Sequence, residues 1–184
     1  MGQAIIGGFI VLVGICLKAI IEESLFNRKE KAKSEHAATR LVVELDRFLH
    51  KAAAVACDTG RYEGTDPNGY DITETQEDEP DFVDPLSVND WKSIDKNLLY
   101  SYFLIGDKQR DVQAYMQFAA RELISGPDDD EWWEARQNGY ADLAEYVITV
   151  RGEFEQTYSV PKIGQRGWDP ITYMRERVEA RKKH

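Results

Sequence analysis

The amino-acid sequence predicts an all-α protein: an N-terminal transmembrane helix continuing into a cytoplasmic, antiparallel helical bundle that carries one long acidic loop. Three observations lead there. Residues 4–20 read AIIGGFIVLVGICLKAI, the stretch Ser24–Cys57 holds no Gly or Pro, and no segment alternates apolar and polar residues long enough to require a sheet. The expected division is an anchor over residues 1–23 and one bundle over 24–184, with the acidic loop at 58–90 inside it.

The first element is justified by length and polarity. Between Gln3 and Ile21 the single charge is Lys18. About 20 helical residues cross a hydrocarbon core of roughly 30 Å, and a lysine near one end reaches the interface by its stem. A removable signal is disfavoured: no positive side chain precedes the run, and bulky Leu17 stands three places before the end of an Ala19-Ile20 cleavage candidate. Ile6 replaces the Ser or Thr of a myristoylation signal, and Ile15 precedes Cys16 where a lipoprotein signal needs a small residue. The alternative, a core helix of a soluble protein, normally keeps a polar face, which this stretch lacks. Residues 4–21 are therefore expected to meet membrane lipid.

Flanking charge sets the expected orientation. Lys18, Arg28, Lys29, Lys31 and Lys33 follow the apolar run, so the positive-inside bias places the bundle in the cytoplasm and the N-terminus outside, at the cell's inner membrane. Cys16 in the span and Cys57 far along the chain do not form a disulfide framework. Gly7 and Gly14 share a helix face, which carries the expectation of a homodimer through close approach of two spans.

The remaining elements follow in order. Ala38, Leu41, Leu45, Phe48, Ala52 and Val55 recur at three and four spacings, widened by Val42, Leu49 and Ala56, and make a core-facing helix that can continue the anchor as one rod. Thr59-Gly60 ends it. The acidic segment from Asp58 to Asp90 carries turn signals at Asp66-Pro67-Asn68-Gly69, Glu79-Pro80 and Asp84-Pro85, and is expected to pack in part through Phe82-Val83. Asp95 caps a helix with Leu98, Leu99, Tyr102, Phe103 and Ile105, which Gly106-Asp107 is expected to interrupt before Val112, Tyr115, Met116, Ala119 and Leu123. Asp128–Glu131 place carboxylates at the positive end of the next helix, whose inner face holds Trp133, Tyr140, Leu143, Ala144, Val147, Val150 and Phe154. Asp169-Pro170 opens a closing helix.

Composition and motifs narrow the function classes. A net charge of -10 argues against nucleic acid as a partner, because that affinity comes largely from neutralising phosphates. No phosphate-binding Gly loop, nucleophile elbow, HExxH or paired CxxC is present, so no enzyme activity and no cofactor is expected. Asp46, His50 and Cys57 share a helical strip and all three residue types bind divalent metals, but they are one ligand short of a closed site, and an Asp–His helical pair is as ordinary. Asp66, Asn68, Asp71, Glu74 and Glu77 offer hard oxygens around a Gly turn, with the Gly misplaced for a calcium loop; a solvated acidic linker has the same composition. A further expectation lets this segment face a basic surface, including the chain's own Arg175, Arg177, Arg181, Lys182 and Lys183. Those same cations equally complement a helix C-terminus. Trp132, Trp133 and Trp168, with Phe82, are the candidate anchors for a protein partner, since Trp is favoured at interaction hot spots. The expected function is thus a single-span, membrane-anchored interaction or scaffold protein. The alternative is a membrane-tethered metal-binding sensor or enzyme using Asp46, His50, Cys57 or the acidic loop.

Overall fold

The computed structural model of the chain describes the backbone of residues 2–67, 69, 71–123, 130–161 and 169–181, and their side chains except those of 2–16, 19, 89, 122–123, 130, 170, 177 and 181. The first helix, α1, runs without a break from Gly2 to Cys57. At 1.5 Å per residue it is about 84 Å long. From residue 17 to 36 its described side chains are exposed or half-buried, and from Ala37 onward one stripe is sealed: Ala37, Ala38, Leu41, Val42, Leu45 and Phe48, then Leu49, Ala52, Ala53, Val55 and Ala56. The three-and-four spacing of these residues is the reason, because it keeps one face of a 3.6-residue helix apolar over about five and a half turns.

That stripe packs chiefly on α4, Asp130–Tyr158. The two helices are antiparallel, since Asp46 meets Arg151 near one end and Asp58 meets Arg136 at the other. The helix α3, Lys96–Phe118, is also antiparallel to α4: the Asp95 backbone N–H donates to the Tyr158 hydroxyl (2.8 Å), the Tyr146 hydroxyl to the Ser101 carbonyl (3.2 Å), and Val112 abuts Gly139. It runs on into a π-helical turn, Ala119–Leu123. The last helix, α5 (Pro170–Arg181), lies on α1 and α4 with Met174 buried and Arg175 paired to Glu145 at 2.9 Å. Asp95 and Asp169 cap their helices as their positions in sequence suggest, accepting from Asn97 and Leu98, and from Ile171.

Both α1 and α3 pack on α4 rather than on each other, and residues 78–94, including the single-turn helix α2 (Val88–Trp91), fill the gap between them. Phe82 sits between Phe48 (ring centroids 6.2 Å) and Tyr102 (5.1 Å). Leu86 and Ile94 are buried beside it. The strap is also tied through its backbone: the Tyr102 hydroxyl donates to the Val83 carbonyl (2.9 Å), Gln109 to the Pro80 carbonyl and Arg40 to the Pro85 carbonyl.

Three expectations are corrected here. Gly106 does not interrupt α3; the helix is continuous, and a Cβ at Gly106 would stand 3.0 Å from the Phe82 ring, so the glycine makes room for the strap. Val83, expected to pack with Phe82, is 53% exposed and contributes its carbonyl instead. A small sheet exists: β1 (Arg61–Thr65) and β2 (Asp71–Glu74) form an antiparallel hairpin within the acidic segment, with a bulge between Tyr62 and Gly64. Strands of five and four residues are too short to show an alternation in sequence. Among the described residues no helix is long and apolar enough to cross a membrane. Most of the side chains of the apolar run 4–20, Gly7, Gly14 and Cys16 among them, lie outside the described residues, as do Trp168, Asn68, Lys182 and Lys183.

Candidate functional site

The most densely built polar site stands where α1 ends. Gly60, at φ +76°, turns the chain out of the helix in the left-handed region that favours glycine. Its neighbour Asp58 is buried, and one carboxylate there serves both feet of the hairpin: Asp58 Oδ1 accepts from the Gly60 N–H (2.9 Å), and Oδ2 from the Gln76 (3.0 Å) and Glu77 (3.1 Å) N–H groups. Arg136 of α4, 1% exposed, closes the site by donating from Nη1 to Asp58 Oδ2 at 2.8 Å and from Nη2 to the Glu77 carbonyl at 2.5 Å. Gln137 donates to the Asp58 carbonyl (2.6 Å), and Gln76 to that of Gly60 (3.0 Å).

Aromatic rings wall off this pair. Trp132 and Trp133 both lie with their rings 5.8 Å from the Arg136 guanidinium and 5.0 Å from each other, edge to face. Any Cβ at Gly60 would press on Trp133 at 2.7 Å and on Thr73 at 2.2 Å, so only glycine fits where the hairpin leaves the helix. Burial pushes the Asp58 carboxyl up, but the Gly60 and Glu77 amides, Arg136 and the Gln76 amide together outweigh it and hold it below the ordinary carboxylate range. The site therefore keeps a full ion pair in a dry setting, where removing either partner strands the other.

The hairpin that this clasp holds stands off the bundle. Beyond its feet, β1 and β2 make their regular contacts with each other, and Tyr62 and Ile72 are 60% and 45% exposed. Each strand is paired on one side only within the described sheet. One face carries the Tyr62 hydroxyl against Thr65 (2.8 Å) and Thr65 against Asp71 (3.3 Å); Arg61 bonds Glu63 in β1 and stands opposite Glu74 of β2.

The residues singled out from sequence fall as follows. Asp46 engages Arg151 (2.8 Å), which also pairs with Glu155 (3.0 Å), and burial raises the Asp46 carboxyl above its ordinary value even though Arg151 opposes the shift. His50 is exposed, and its Nδ1–H donates to the Asp46 carbonyl (2.8 Å). Cys57 is half-buried against the core at the end of α1. Among the described residues no three His, Cys, Asp or Glu side chains come together to hold a metal. In the acidic loop Asp71 and Glu74 are strand residues, the Asp66 backbone carbonyl accepts the Gly69 N–H in the hairpin turn (3.0 Å), and Glu77 is tied to Asp58 through its backbone. Of the candidate anchors, Phe82 is committed to the strap, and Trp132 and Trp133 are half-buried around Arg136. Of the cations expected to flank a span, Lys18 and Lys31 pair with Glu22 and Glu35 one helical turn on, at 3.8 and 3.7 Å, and Arg28, Lys29 and Lys33 are exposed.

What sequence reasoning missed is the partnership of Asp58 with Arg136. The available signal was weak: an Asp directly after a helix end, and an Arg one turn after a Trp pair in a helix whose inner face is otherwise apolar. A shallow cleft lies nearby between α3 and α4, bounded by Tyr115, Glu131, Glu134, Asn138 and Asp142. No family model matches the chain, and no curated protein and no solved structure is significantly similar to it.

Proposed function

We propose that this chain is a membrane-anchored interaction module: residues 4–21 hold it in the inner membrane, and the bundle, on the cytoplasmic side, presents its far end to a protein partner. The observation that carries the reading is the continuity of α1, in which the apolar run, an exposed stretch and the core stripe are one helix. Leu17, Ile20, Ile21, Leu25 and Phe26 are each more than half exposed, an apolar surface that water disfavours and a bilayer or its interface accepts. Arg28, Lys29, Lys31 and Lys33 follow at once, the arrangement expected on a cytoplasmic flank. From Ile21 the helix continues about 24 Å to the first sealed residue, Ala37, and about 54 Å to Cys57, so the hairpin and the Trp pair lie at the end away from the lipid. Rigid display of a polar end at a set distance is what an interaction module needs and what a lone enzyme does not.

The experiment is fractionation of the full chain beside an Ile10→Lys/Val13→Lys variant. Under this reading the parent stays in the membrane pellet after an alkaline wash while the variant, with two charges near mid-span at about 2.5–3.5 kcal/mol each, shifts to the soluble fraction. Release of the parent by the wash would remove the anchor from the reading and return residues 4–21 to a core or an oligomer interface.

A further inference from the structure

We infer that the β1–β2 hairpin is the docking element of the module and that its occupant is an extended, basic segment of a partner protein, added as a third strand to an open edge. The inference deepens the interaction-module reading and rests on it for the existence of a partner. Three observations carry it. A lone two-stranded hairpin is marginal in water, yet this one is fixed at both feet by a single buried carboxylate and a buried arginine, and among the described residues its strands pack chiefly on each other. Both outer strand edges are unpaired within the described sheet, and an exposed strand edge is a template for strand addition unless it is blunted. The bulge between Tyr62 and Gly64 bends the β1 edge, whereas β2 holds no proline, no cation and no extra residue, so the β2 edge is the open one.

Charge selects the occupant. Residues 61–77 hold the carboxylates Glu63, Asp66, Asp71, Glu74 and Glu77 against Arg61 alone. A second copy of the hairpin would bring the same excess of carboxylates edge to edge, whereas a strand with Lys or Arg at alternate positions, added along β2, sets a cation beside Glu74 while its backbone pairs with that edge. Exposed Tyr62 and Ile72 give the aliphatic stems of those cations a surface to lie on.

The test uses the full chain in a zwitterionic detergent and two ten-residue probes of equal charge, one alternating Lys with Thr and one of the same sequence with its backbone nitrogens methylated. Binding is read by fluorescence anisotropy of labelled probe, and strand pairing by hydrogen–deuterium exchange over residues 58–77. The unmodified Lys-Thr probe is expected to bind and to slow exchange in that segment; the N-methylated probe, which has no backbone donor to give to the edge, is expected to bind at least roughly tenfold more weakly and to leave exchange unchanged. A Glu63→Lys/Glu74→Lys variant should weaken the Lys-Thr probe roughly fivefold or more. Equal binding of the two probes would reduce the effect to diffuse attraction and overturn the inference, as would protection elsewhere in the chain or no binding at all. Because the chain is in detergent throughout, these outcomes are independent of whether it fractionates with membranes.

Discussion

Replacing Arg136 by Met tests whether the clasp under the hairpin holds the distal end of the bundle together. The substitution keeps an unbranched apolar stem and a similar helix propensity and deletes the guanidinium with its charge. Lost are the ion pair to Asp58 at 2.8 Å, the hydrogen bond to the Glu77 carbonyl and the packing of a cation between two tryptophans at 5.8 Å. Left behind is the Asp58 carboxylate in a buried site, still receiving three backbone N–H groups. Breaking a buried pair from one side costs about 3–5 kcal/mol, and the three remaining donors argue for the lower end, about 3 kcal/mol. With a slope near 2 kcal/mol per molar urea this lowers the unfolding midpoint by roughly 1.5 M. Urea titration followed by far-UV circular dichroism reads it directly. An Asp58→Asn/Arg136→Met double variant should cost less than the sum of the two single changes, because neither then strands a charge. A loss below about 1 kcal/mol for Arg136→Met, or strict additivity in the double variant, would refute the claim that the pair is buried and coupled.

Other outcomes follow from the same geometry. Phe82→Ala, which empties the space between Phe48, Tyr102 and Gly106, should destabilise by about 3 kcal/mol and free the strap, read as faster hydrogen exchange over 78–94. Gly139→Ala should destabilise by about 1–3 kcal/mol in the same urea assay despite alanine's better helix propensity, because its Cβ would meet Val112 at 2.6 Å and force α3 from α4. Asp58 and the partly buried Asp46 should act with opposite sign on the pH dependence of stability. Asp58 titrates below its ordinary value near 3.8 in the folded chain, so its contribution is complete above that value and is lost as pH falls through the lowered one; Asp58→Asn should soften the acid decline. Asp46 titrates above the ordinary value, so folding takes up a proton there and gains stability as pH falls toward 3.8; Asp46→Asn should remove that gain, checked by urea midpoints across the acid range.

The parts of this fold that could be read in advance are those written in short-range periodicity. The stripe from Ala38 to Ala56 is buried as its spacing requires, and so are Tyr140, Leu143, Ala144, Val147, Val150 and Phe154 on the facing helix. Caps at Asp95 and Asp169 and the stop at Gly60 were likewise local. Gly106 misled because a glycine inside a helical pattern has two readings, a break or a close approach, and only the position of Phe82, 24 residues away, distinguishes them. The hairpin was invisible because its strands are short and largely exposed, so no burial pattern marks them. Asp58 and Arg136, at the heart of the candidate site, are 78 residues apart in the chain, and nothing in either neighbourhood names the other.

One further consequence follows from α1 being a single helix from its apolar end to the clasp. In such a rod position and rotation are locked together, with each residue adding about 1.5 Å of height and about 100° of turn. Inserting one residue between Glu22 and Glu35 would barely raise the hairpin, yet would swing it by more than a quarter-turn about the helix axis. Seven or eleven residues would instead change its height by about 10 or 16 Å while nearly restoring its facing. The exposed stretch thus sets azimuth more strictly than reach, and anything fixed relative to the first turns of α1 would sense a single-residue deletion there more acutely than the loss of two full turns.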